Sequence, residues 1–269
     1  MRRQSKNSLL WRVTPREGGT VSYLFGTMHV RDRRAFVCLE QAFRRIDECE
    51  VFAAEFDYLR ADPAVVRTAL TLPEGCSLQE LLSRRAWKNL TFYCRKKLCV
   101  PPETFQSAHP ILVQMVLSSA FSREEMEYSL DETLWRYAQR QGKQLTGMET
   151  LEEQVELLLH IRLEQHLKSL THLLTHYAQH RRRMKKTMRW YQQGDLRRLY
   201  QAARRDARGM RRSLLLARNE RMARRFVELA RQKSLFCAVG AAHLSGGKGM
   251  LRLLKQAGFS VKPVMCHAP

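Results

Sequence analysis

The sequence predicts an α/β fold: a mixed sheet core formed from the N- and C-terminal segments, as two related strand-loop-helix halves, with a large helical insertion. Three observations lead there. Short apolar, strand-like runs occupy 1–60 and 234–269, while 61–233 carries mainly helical apolar spacing. The two ends also hold similar segments, Leu24-Phe25-Gly26-Thr27-Met28-His29-Val30 and Ala238-Val239-Gly240-Ala241-Ala242-His243-Leu244. No Pro/Gly/Ser-rich linker interrupts the 269 residues, so a single domain is expected.

In chain order, Ser8–Val13 and Val21–Phe25 read as two strands of a hairpin, turned by Glu17-Gly18-Gly19-Thr20. Cys38–Glu48 has Leu39, Ala42, Phe43 and Ile46 at the spacing of one helix face. Val51–Phe56 reads as a buried strand running into Asp57. Helices are predicted over Ser77–Lys97, Pro110–Phe121, Leu130–Gln141, Leu151–Gln179, Arg183–Gln192, Asp195–Ala207 and Ser213–Gln232. Gly142-Lys143 stops the third of these, and Gln144–Gly147 is a short strand. Leu235–Val239 is a strand and Gly249–Gln256 a helix. Gly258 ends that helix, and Phe259–Met265 is the last strand.

Composition excludes several classes. At 44% hydrophobic and 27% charged, the chain is a folded globular one. Its longest apolar stretch, Ile111–Phe121, is interrupted by Gln114, Ser118 and Ser119. It falls short of the roughly 20 residues that cross a bilayer. The basic N-terminus lacks a long apolar run and a cleavage site. The expectation is a cytoplasmic protein, although an upstream start would leave room for a leader. Seven scattered cysteines without any C-x-x-C read as reduced thiols.

The net charge is +21. Residues 181–225 alone hold 17 Lys and Arg against 3 Asp and Glu. This segment reads either as a contact for an acidic partner or polyanion, or as a solvated face of long helices. No nucleic-acid motif accompanies it, and its aromatics are only Trp190, Tyr191 and Tyr200.

The paired G-x-x-H segments carry the chemistry. Loops at the carboxyl ends of strands line the ligand crevice of open α/β sheets. A histidine just past each strand end points there, and neighbouring strands would bring His29 and His243 within reach of one ion. Glu55 joins them from the strand between. Two imidazoles and a carboxylate form a recurring metal site. One such segment alone reads as an ordinary strand-end histidine. The duplication raises the metal or catalytic reading.

The ordered motifs resemble the TraB/GumN family, the TIKI-like group within the erythromycin esterase and ChaN-like superfamily. The resemblance covers nearly the whole chain. It rests on Leu24-Phe-Gly-Thr-Met-His29, Ala53-Ala-Glu-Phe-Asp57, Leu130-Asp-Glu-Thr-Leu134, Gly142–Thr150, Tyr191–Asp195, Arg218-Asn-Glu-Arg-Met222 and Gly240–Met250. Ala217, Ala242 and Ser245 depart from the family pattern without removing a candidate ligand.

The resemblance implies a metal-dependent hydrolase, peptidase-like, acting on a peptide or ester. A divalent ion (Mn, Co or Zn) would be held by His29, His243 and a carboxylate, Glu55 first and Asp57 second. It would activate a water. Arg218 would stabilise the oxyanion, and Glu149 or the uncoordinated carboxylate would carry protons. A metal-free acid/base role for His and Glu stays open. The alternative is a non-enzymatic regulatory or binding protein whose basic helices recruit an acidic partner.

Other signals are weaker. His172, His176 and His180, with His166 upstream, form either a metal stripe or a solvated helix face. Cys76, Cys94 and Cys99 lack a fourth ligand at zinc spacing. Gly246-Gly247-Lys248-Gly249 fails the P-loop pattern, since Ala242 and Gly249 occupy its Gly and Ser/Thr positions. Neither H-E-x-x-H nor G-x-S-x-G occurs.

Overall fold

Six strands form one mixed sheet: β1 (Leu10–Pro15), β2 (Ser22–Thr27), β3 (Val51–Phe56), β4 (Gln144–Glu149), β5 (Leu235–Gly240) and β6 (Phe259–Val264). The computed structural model describes residues 7–58, 63–122, 124–206 and 212–266. The strand order is β4-β3-β5-β2-β1-β6. β4, β3, β5 and β2 run parallel, whereas β1 pairs antiparallel with both β2 and β6. The hairpin and the contribution of both chain ends match the sequence reading. β4 adds a strand from the middle of the chain to the edge beside β3.

The helices are α1 (Leu39–Asp47), α2 (Pro63–Ala69), α3 (Leu78–Leu81), α4 (Arg84–Tyr93), α5 (Pro110–Ser119) and α6 (Leu130–Arg140). They continue with α7 (Leu151–Leu159), α8 (Leu163–Thr175), α9 (Tyr177–Gln192), α10 (Leu196–Asp206), α11 (Arg218–Gln232) and α12 (Met250–Gln256). Two predicted long helices are broken. Ser83 is extended and its hydroxyl accepts from the Ala86 amide at 3.2 Å, so α4 starts afresh. Arg162 is extended as well, and it separates α7 from α8.

The chain divides into two compact units. One comprises Met1–Ala61, Glu124–Thr150 and Lys186–Pro269 and contains the whole sheet. The other comprises Asp62–Arg123 and Leu151–Lys185. The division falls inside α9.

In the sheet unit, β2 is buried along its length and β5 up to its last residue. Such strands read as continuous apolar runs because both faces are covered. Phe52 and Phe236 stack with centroids 5.8 Å apart, between Phe25 and Trp135. The helical unit has its own core, including Leu78, Leu90, Val113, Leu117, Leu170 and Leu174.

One expectation about thiols is corrected. Cys38 and Cys266 form a disulfide, with Cα atoms 5.2 Å apart. It joins the start of α1 to the segment after β6, across 228 residues of sequence. That separation hid the pair from any spacing rule. The five free cysteines are Cys49, Cys76, Cys94, Cys99 and Cys237. No helix among the described residues is long and apolar enough to cross a membrane.

Candidate functional site at the carboxyl edge of the sheet

Parallel pairing brings the carboxyl ends of β3, β5 and β2 to one edge in that order. Thr27 of β2 is the register partner of Gly240 of β5. His243 ends a single 3-10 turn after β5, and His29 follows β2 by two residues. Glu55 is the penultimate residue of β3, toward the same edge.

Glycine makes the close approach possible. A Cβ on Gly240 would stand 3.0 Å from Glu55 Oε1 and 3.5 Å from the His243 ring. A Cβ on Gly26 would stand 3.1 Å from the Cα of Ala241, so the first G-x-x-H segment packs directly on the second. The backbone of Gly26 is also held by the buried Tyr191, whose hydroxyl donates to its carbonyl at 2.8 Å.

Four of the expected residues converge. Glu55 Oε1 accepts from the Gly240 amide at 2.6 Å and faces His243 Nε2 at 3.7 Å. Glu55 Oε2 accepts from Arg218 at 2.9 Å. Arg218 also donates from Nε to Glu149 Oε2 at 2.7 Å, and Arg221 donates to Glu149 Oε1 at 2.7 Å. The Glu149 side chain is fully buried between the two guanidiniums. It therefore stands as their counter-charge.

Burial alone would raise the Glu55 carboxyl. The charge His243 carries when protonated, the Arg218 guanidinium and the Gly240 amide more than offset this and hold it down at about 2. Burial, aided by the Arg218 charge, holds His243 below the usual imidazole range, so its neutral form is favoured.

Asn219 fixes the tautomer of that imidazole. Its Nδ2 donates to the Lys248 carbonyl at 2.7 Å, which leaves Oδ1 facing His243 Nδ1 at 2.6 Å. The amide oxygen is only an acceptor, so Nδ1 carries the hydrogen and Nε2 the lone pair. Asn219 belongs to the Arg-Asn motif, but the sequence offered no reason to assign it this task.

The other expected residues have different partners. His29 is exposed, with Nδ1 3.6 Å from Asp131 Oδ2. The Asp131 contact holds its imidazole above the ordinary value. Asp57 is half-buried, one residue past β3, where its amide would lie 2.6 Å from a Cβ on Gly147. Among the described residues, no three or more His, Cys, Asp or Glu come together to hold a metal ion. Both Glu55 oxygens already accept from protein donors, and His29 is paired with Asp131. As arranged, these residues do not fit a three-ligand ion. The His172, His176 and His180 rings do cluster, with His172 Nδ1 3.1 Å from His180 Nε2, but they form no such group either.

The model of the TraB/PrgY/gumN family matches residues 9–263. The chain belongs to that family. It is 26% identical to Metalloprotease TIKI2 of Danio rerio, over 98% of this chain and 61% of that protein. It is 25% identical to Metalloprotease TIKI2 of Xenopus tropicalis, over 98% and 60%. The chain thus spans about three fifths of the curated relatives it matches. No solved structure matches it. The family match runs from β1 into β6, so it takes in every residue of the converged cluster.

Proposed function

We propose that this TraB/PrgY/gumN member is a hydrolase of peptide or ester bonds, working at the His243–Glu55 pair. The observation that carries the reading is a buried imidazole with its Nδ1 tethered by Asn219 and its Nε2 facing the Glu55 carboxylate at 3.7 Å. A neutral imidazole with a fixed lone pair is a general base. A water hydrogen-bonded to Nε2 would give up a proton there as its oxygen attacks the carbonyl carbon. The Glu55 carboxylate would stabilise the imidazolium so formed. Arg218, held by Glu55 and Glu149, keeps that carboxylate ionised and in place. His29 is exposed and biased toward its charged form by Asp131. It is the group suited to return a proton to the leaving atom.

The relatives' name adds peptide bonds as the first substrate class to test and a divalent ion as the first additive. The test is a screen of peptide and ester substrates with chelator, Mn²⁺, Co²⁺ or Zn²⁺, comparing wild type with His243→Ala. Turnover that survives unchanged in His243→Ala would contradict the reading.

A further inference from the structure

The two G-x-x-H histidines share a support that their sequence motif does not contain. Each is met at Nδ1 by a side chain on a helix. For His243 that residue is Asn219, on α11 directly after Arg218, where the π-helical turn Arg212–Ala217 runs on into the α-helix. For His29 it is Asp131, second in α6 after Leu130.

The local sequence explains the placement of Asp131. Ser129 caps α6, its hydroxyl accepting from the Glu132 amide at 3.3 Å, and the acidic Asp131 suits the positive end of the helix. One Asp131 oxygen accepts from the Thr27 hydroxyl at the end of β2. The other, Oδ2, is buried without a hydrogen-bond partner among the described residues and lies 3.6 Å from His29 Nδ1. A buried carboxylate oxygen lacking a donor is costly unless a donor stands close. His29 Nδ1 stands within ion-pair reach of that oxygen. Asn219 is fully buried, and its amide is oriented by the Lys248 carbonyl.

We propose that Asp131 and Asn219 are matched positioning residues, each holding its histidine by Nδ1–H so that Nε2 is the lone-pair nitrogen on both. Helices supply the partners and strand ends supply the imidazoles, α6 beside β2 for His29 and α11 beside β5 for His243. The partners differ in charge. An anion stands behind His29 and a neutral amide behind His243, which sets the two rings to different tasks. This deepens the hydrolase reading and rests on it for its purpose, but the tautomers are measurable without any substrate.

The test is ¹⁵N–¹H correlation of the histidine rings in ¹⁵N-histidine-labelled protein, above the pH at which the imidazoles titrate. Peaks are assigned with His29→Gln and His243→Gln. The expected result is Nδ1 at the proton-bearing shift and Nε2 at the lone-pair shift for both rings. Asp131→Ala should move only the His29 ring toward the Nε2–H tautomer. Asn219→Ala should do so only for His243. Asp131→Asn and Asn219→Asp each keep an oxygen acceptor and should retain the wild-type tautomer. They also serve where an alanine variant fails to fold. An Nε2–H tautomer on either ring in the wild type would overturn the proposal. So would rings that ignore the loss of their partners. Lack of turnover in the substrate screen, with both tautomers as expected, would sink the hydrolase reading alone.

Discussion

His243 Nε2 and Glu55 Oε1 face each other at 3.7 Å across the carboxyl ends of β5 and β3. Neither side chain is held by the other alone. Asn219 anchors the imidazole, while Gly240 and Arg218 anchor the carboxylate. Removing one imidazole from such a site costs a general base roughly 10²- to 10⁴-fold in rate. His243→Ala is therefore expected to lose turnover on that scale, with its circular dichroism unchanged. A tenfold loss or less would place the base elsewhere.

Glu149 is a stability prediction. Its two oxygens neutralise Arg218 and Arg221 in a fully buried position. Glu149→Gln leaves two guanidiniums without that charge, a change of about 3 kcal/mol or more in a buried pair. Urea denaturation should register it as a lower midpoint. A midpoint equal to wild type would contradict its standing as their counter-charge.

The helical unit should be acid-sensitive. Burial, with the neighbouring His166, lowers His109 from 6.5 to about 4, and burial lowers His166 as well. The fold thus prefers the neutral ring. The unfolded chain takes up the proton first as pH falls below 6.5. Stability is full above that pH and is lost as pH falls toward about 4, by no more than about 3 kcal/mol for His109. His109→Asn keeps an acceptor for the Ile111 amide, which His109 Nδ1 caps at 3.4 Å, and should flatten the pH dependence of Tm between those limits. An unchanged slope would assign the acid sensitivity to other groups.

The Cys38–Cys266 bond predicts a thiol count. Alkylation of unreduced, denatured protein should label five cysteines, and all seven after reduction. Reduction should lower stability by about 5 kcal/mol, since the bond closes a long loop. Seven labelled thiols before reduction would restore the reduced reading.

Exposed Arg182, Lys185 and Lys186 on α9 lie in the most basic stretch of the chain. Retention on a heparin column at low salt should fall steeply as salt rises and should weaken in a triple Glu variant of these residues. It should be indifferent to His243→Ala. Joint loss in both variants would link the basic face to the site.

What the sequence disclosed followed from local rules. The Val51–Phe56 strand is found as read, because its apolar run is short and bounded. The paired G-x-x-H segments disclosed the neighbouring strands β2 and β5. Residues joined only by the tertiary fold stayed hidden. Asn219 and Asp131 sat inside recognised motifs, yet their partners lie 24 and about 100 residues away. Cys38 and Cys266 are farther still. The helix breaks at Ser83 and Arg162 escaped because apolar spacing continues through a change of backbone direction. A serine is polar in either setting, and only its hydrogen bond to Ala86 shows that it caps.

The most direct test is cleavage of a peptide and ester panel by wild type and folded His243→Ala, each with chelator and with Mn²⁺. Wild type is expected to turn over a substrate, and the variant at least a hundredfold less. Equal turnover by both, or none by wild type under any condition, would contradict the hydrolase reading.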